Sequence, residues 1–130
     1  MVKHLDCDVL VAGSGASGFA AAFTAAKNGL DVIMVEKAEV FGGTTCYSAG
    51  VIWIPSSRQA QAAGITDNKG DVLTYLESEG GNRLDRDKAE AFVDNAAGVL
   101  EWFESNSYVS YMLSPTWSDY HPDKPGAAKG

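Results

Sequence analysis

Residues 13–18 read Gly-Ser-Gly-Ala-Ser-Gly, and an acid, Glu36, stands eighteen residues beyond Gly18. Glycines in a G-x-G-x-x-G spacing break no bonds themselves; their chemistry is recognition of a dinucleotide. Gly13 makes a tight turn, Gly15 lets backbone approach a pyrophosphate, and Gly18 lets a helix pack closely on a strand. The run Gly13, Ser14, Gly15, Ala16, Ser17 and Gly18 is therefore expected to line the phosphates, with N–H groups at a helix start facing the negative charge. Glu36 is placed to accept hydrogen bonds from ribose hydroxyls.

The motif carries weight only in the right setting, after a strand and opening a helix. Residues 7–12 (Cys-Asp-Val-Leu-Val-Ala) form a short apolar run ending at Gly13, which suits a strand of a parallel sheet covered on both faces. Residues 16–28 are alanine-rich, with Phe19 and Phe23 four apart, and Gly29 follows as a left-handed stop. Residues 30–37 read as a second buried strand. The segment 7–37 is thus a Rossmann-like βαβ unit, with a right-handed crossover expected. A glycine turn that binds nothing is the competing reading; the joint presence of strand, helix and acid argues against it.

The fingerprint serves both NAD and FAD. An acid at 36, with no arginine beside it, disfavours a ribose 2′-phosphate and hence NADP. The loop 38–57 then adds a second glycine pair, Gly42-Gly43, followed by Thr44 and Thr45. Such a pair lets another backbone segment approach an extended cofactor, with hydroxyls to bond it. Nicotinamide dehydrogenases do not need this element at that distance.

Further along, residues 58–63 predict a short helix stopped by Gly64. A helix over 70–81 has Asp71 as its expected cap. The clearest helix is 87–105, where Asp87 and Glu90 have capping-box spacing. Its apolar stripe is Ala89, Phe92, Val93, Ala96, Val99, Leu100 and Phe103. Residues 108–113 read as a strand or extended segment.

Composition narrows the partners. A net charge of −7 disfavours nucleic acid and anionic membrane surfaces. No apolar stretch approaches the roughly 20 residues of a membrane span, and Asp6 and Asp8 interrupt any signal-like run, so a cytoplasmic location is expected. Cys7 and Cys46 lack the spacing of a zinc site or disulfide framework, and no metal is expected.

Three segments carry a family resemblance: "DCDVLVAGSGASG", "VEKAEVFGGTTCYSAGVIWIP" and "WSDY" near residue 120. Together they resemble the FAD-binding oxidoreductases of the fumarate reductase/succinate dehydrogenase flavoprotein type, and within it the bacterial 3-ketosteroid Δ1-dehydrogenases. The resemblance implies FAD as cofactor, with Lys37 beside Glu36, and Gly42, Gly43, Thr44, Thr45, Ser48, Ala49 and Gly50, contributing to its site. Ala49 stands where the family often has glycine. No histidine occurs in 42–50, so the flavin is expected to be held non-covalently.

The same resemblance implies a reaction, in which a 3-ketosteroid A-ring loses a hydride to the flavin and a proton to a tyrosine-assisted base. Tyr120 maps to the assisting tyrosine. It also implies an apolar, steroid-like substrate and an electron acceptor that reoxidises the flavin. Because family chains are several times longer, residues 1–130 are expected to be the N-terminal part of one FAD-binding domain. They comprise the βαβ unit 7–37, flavin loop 38–57, helical segment 58–105 and the start of a substrate-facing segment, 106–130. The isolated piece is expected to be poorly stable, to bind FAD weakly or not at all, and to be inactive by itself. Two rivals remain: a related flavoenzyme acting on a dicarboxylate, and a free-standing nucleotide-binding module without catalysis. For His4, His121, Asp119, Trp53, Trp117 and Cys46, packing or solvation is the plainer expectation.

Overall fold

The computed structural model describes residues 4–114 and 120–127. It forms two compact units, Met1–Val51 and Ile52–Gly130, whose boundary falls inside the loop expected at 38–57.

The first unit is the βαβ element. Strand β1 (Val9–Ala12) and strand β2 (Val32–Val35) pair in parallel, Val9 opposite Val32 through Ala12 opposite Val35. Both are shorter than the apolar runs that announced them. Their ladder continues at the ends through other bonds: Gly13 N–H donates to Val35 O at 2.8 Å, and Asp31 N–H to an Asp8 carboxylate oxygen at 2.8 Å. Helix α1 (Ala16–Lys27) joins the strands. It stops as expected, at Asn28 and a left-handed Gly29 with φ +81°.

Alternate residues of a strand face opposite ways. Val11 is buried on the α1 side, within van der Waals reach of position 18, whereas Leu10 is 63% exposed. The expectation of cover on both faces is therefore met on one face only by the described residues. The α/β class stands.

The second unit is helical. Helix α2 (Arg58–Ala62) is capped by Ser57, whose hydroxyl accepts Ala60 N–H at 3.2 Å. Helix α3 spans Lys69–Gly80 and α4 spans Arg86–Asn106. Two expected caps move. Asn68, ahead of Asp71, caps α3 by accepting Asp71 N–H at 2.9 Å, and Asp85 caps α4 by accepting Lys88 N–H at 3.2 Å. In each case a polar residue earlier in the chain takes the cap. Asp71 and Asp87 then fall in the first turn, where their charge still suits the helix dipole.

The core of this unit contains Val72, Leu73 and Tyr75 of α3 with Ala89, Ala96 and Leu100 of α4, all buried. Trp53 packs against Tyr75 (ring centroids 5.7 Å apart) and stacks on Phe92 (6.1 Å). The α4 stripe is narrower than read, since Val99 is 51% exposed. Residues 108–113 form no strand. Glu104 accepts Tyr111 N–H at 2.9 Å and Gln59 donates to Tyr111 O at 3.3 Å, so side chains take the backbone bonds a neighbouring strand would have used.

Candidate functional site

The site is built in the first unit. Gly13 leaves β1 with φ +98°, and the chain enters α1 with Gly15 as N-cap and no side-chain cap. The first intrahelical bond is Phe19 N–H to Gly15 O at 3.0 Å, so the amides of Ala16, Ser17 and Gly18 precede it. No acid lies in that first turn to compete with an anion. Gly18 is required by contact: a Cβ there would stand 2.0 Å from Gly13 O.

Glu36 follows β2 and folds back on this turn. Its Oε2 accepts Ser14 N–H at 2.9 Å and the Ser14 hydroxyl at 2.5 Å, while Oε1 accepts Ala38 N–H at 2.9 Å. These donors, Ala38 N–H foremost and then Ser14 hydroxyl and N–H, hold its pKa down to about 2. The carboxylate is an ionised acceptor at neutral pH.

The second glycine pair closes on the first. Gly43 has φ +54°, and a Cβ on it would sit 3.1 Å from Gly15 Cα, so backbone lies almost on backbone here. A 3-10 turn runs over Gly43–Tyr47. Within it Thr45 Oγ1 accepts Ala16 N–H at 3.1 Å, and Ser48 hydroxyl donates to Thr45 O at 2.8 Å and accepts Gly50 N–H at 3.1 Å. Cys46 Sγ, on the same turn, donates to Gly43 O at 3.0 Å. Phe41 meets Phe19 of α1 edge-on with centroids 6.0 Å apart, pinning the loop to the helix from its other end.

The structure thus gathers Gly13, Ser14, Gly15, Ala16, Glu36, Gly42, Gly43 and Thr45 into one constellation. Ser17, Lys37, Thr44, Ala49 and Gly50 lie at its exposed rim. Tyr120 belongs to the second unit and is 95% exposed. Beside it His121 Nδ1 lies 2.9 Å from Glu79 Oε1, and Lys124 Nζ lies 2.8 Å from the same oxygen. Trp117 and Asp119 lie outside the described residues. Two working parts were not foreseen: the bridge from Ser14 to Gly42, and Thr45 on the helix amide. A hydroxyl residue between close-packed glycines was the available signal for the first.

These residues fit a dinucleotide. The amides of Ser17 and Gly18, ahead of the first intrahelical bond and without a first-turn acid, suit a pyrophosphate, an ionised carboxylate at the end of β2 suits a ribose, and side-chain-free glycines leave room between them. The fold and site define a Rossmann-like dinucleotide-binding unit. Residues 8–128 match the family described as FAD binding domain; the chain belongs to this family, and its cofactor is FAD.

Similarity to individual proteins extends across most of the chain. It is 43% identical over 128 residues to 4-oxocyclohex-2-ene-1-carboxylate 5-dehydrogenase of Sinomonas cyclohexanicum, covering 98% of this chain and 21% of that one. It is 35% identical over 123 residues to 3-oxosteroid 1-dehydrogenase of Mycobacterium tuberculosis, covering 95% and 22%. The solved 3-ketosteroid Δ1-dehydrogenase of Sterolibacterium denitrificans, in complex with 1,4-androstadiene-3,17-dione, superposes with a TM-score of 0.81 at 34% identity, covering 95% and 22%. The chain therefore spans about a fifth of the length of these relatives. Among the described residues no helix is long and apolar enough to cross a membrane.

Proposed function

We propose that this chain is the cofactor-holding N-terminal part of an FAD-dependent enzyme that dehydrogenates a cyclic ketone beside its carbonyl. The observation that carries the reading is the joined constellation of Gly15, Glu36 and Gly43, in a chain similar along nearly its whole length to two ring-ketone dehydrogenases. When bound, FAD supplies a two-electron acceptor. The saturated C–C bond loses a hydride from one carbon and a proton from the carbon next to the carbonyl, and a C=C bond forms. The carbonyl acidifies the proton, which is why a ring ketone suits a tyrosine-assisted base.

In this reading the amides of Ser17 and Gly18 take the pyrophosphate, with Thr44 and Thr45 as hydroxyl partners, Thr45 and Ser48 hold the amides of Ala16 and Gly50 in place, and Glu36 takes ribose hydroxyls. Lys37, Ser48, Ala49 and Gly50 complete the rim. The flavin is held without a covalent bond, since residues 42–50 carry no histidine to attach it. Tyr120 assists proton removal, a role supported by the likeness of the Trp-Ser-Asp-Tyr segment to the 3-ketosteroid dehydrogenases. The electron acceptor is a separate molecule that reoxidises the flavin.

A 3-ketosteroid is the first substrate choice, supported by the similarity to 3-oxosteroid dehydrogenases and to the steroid-bound structure. The oxocyclohexene carboxylate dehydrogenase, 43% identical, favours a second reading in which the ring ketone is small and carries a carboxylate. Mixing the full-length flavoprotein anaerobically with 4-androstene-3,17-dione, with 4-oxocyclohex-2-ene-1-carboxylate and with fumarate after prior reduction separates them. Bleaching by one ketone and no reoxidation by fumarate is expected. Reoxidation by fumarate, with no bleaching by either ketone, would overturn the proposal.

A further inference from the structure

We infer that Ser14 is a positioning residue that orients Glu36 toward the adenosine ribose and has no direct share in binding the phosphates; this rests on the FAD reading above. Ser14 is 1% exposed, although it sits in a turn meant to face a ligand. Both of its donors are committed to one atom: N–H at 2.9 Å and O–H at 2.5 Å reach Glu36 Oε2. Its oxygen in turn accepts Gly42 N–H at 2.9 Å.

A serine hydroxyl has one hydrogen and two acceptor positions. With Gly42 N–H entering an acceptor position, the hydrogen is directed at Glu36. Two donors fill Oε2, so Oε1 is the oxygen left to meet a ribose hydroxyl, steadied by Ala38 N–H. One buried hydroxyl thereby links the first glycine turn, the ribose acid and the second glycine pair. A serine binding phosphate would need a donor to spare, and Ser14 has none.

The test compares ADP with 2′,3′-dideoxy-ADP on the deflavinated full-length protein, unaltered and as Ser14→Ala, by calorimetric titration. Ser14→Ala is expected to weaken ADP about tenfold while dideoxy-ADP changes less than about twofold, because only ADP offers hydroxyls to Glu36. Ser14→Thr, which keeps the hydroxyl, is expected to recover most of the ADP affinity. An equal loss for both nucleotides would assign Ser14 to folding or phosphate binding and overturn the inference. So would equal affinity of the unaltered protein for the two nucleotides. Should Ser14→Ala fail to fold, Ser14→Cys, a weaker donor of similar size, carries the same comparison with the same outcomes. Failure of the unaltered protein to take up FAD at all would instead count against the cofactor reading itself.

Discussion

A side chain at position 18 would collide with Gly13: its Cβ would stand 2.0 Å from the Gly13 carbonyl oxygen and 3.5 Å from a Val11 methyl. Helix α1 and strand β1 touch through hydrogen at that point. Gly18→Ala must push the helix away from the sheet, which costs about 1–3 kcal/mol or more. Thermal melting of the purified variant is expected to fall by several degrees, with flavin content falling alongside.

Gly98 is the contrasting case. It lies inside α4, and a Cβ there meets nothing within 4 Å. Gly98→Ala is expected to raise stability by about 0.5–1 kcal/mol in a denaturant titration, through helix propensity and a less free unfolded chain. The two glycines look alike in composition and are opposite in consequence.

Glu36 gives the site a defined pH response. Its pKa is lowered from 4.5 to about 2 in the folded protein. Its contribution to stability is therefore fully present above about pH 4.5 and is lost as pH falls toward 2. Denaturant midpoints of the unaltered protein and of Glu36→Gln are expected to differ most at pH 5 and above and to converge as pH falls. A constant difference across that window would show that the carboxylate's charge is irrelevant.

Thr45 bonds the first amide of α1 from a different loop. Thr45→Val keeps the shape and removes the acceptor, at an expected cost of about 1 kcal/mol, as for loss of a helix cap. Thr45→Ser should retain the bond. Melting temperatures of the pair distinguish the hydroxyl from the methyl.

Trp53 is held between Tyr75 and Phe92 in the second unit. Trp53→Ala is expected to cost about 3–5 kcal/mol and Trp53→Phe much less, measured by chemical unfolding. Such a graded response marks a packing residue.

The βαβ unit was legible because each part had a separate local cause: an apolar run, three spaced glycines, an alanine-rich helix and an acid at the end of the second strand. The caps of α3 and α4 were misplaced because Asn68 and Asp85 compete with nearby Asp71 and Asp87, and only the backbone path decides among them. Residues 108–113 read as a strand or extended segment, yet the N–H and C=O of Tyr111 go to Glu104 and Gln59 and Val109 N–H goes to Ser107, and the first two partners lie at a sequence distance that conceals them. The same holds at the site. Glycine spacing announced the tight turn into α1, whereas the Ser14–Gly42 link spans 28 residues and follows only from how the loop folds back. Tyr120 rests on family likeness, since no local pattern singles it out.

The central claim is that this chain holds FAD with Glu36 on the ribose. Equilibrium titration of the deflavinated full-length protein with FAD, unaltered and as Glu36→Ala, tests it most directly. One flavin per chain, with affinity weakened about tenfold or more by the substitution, is the expected result. No flavin uptake, or equal affinity in the two proteins, would contradict it.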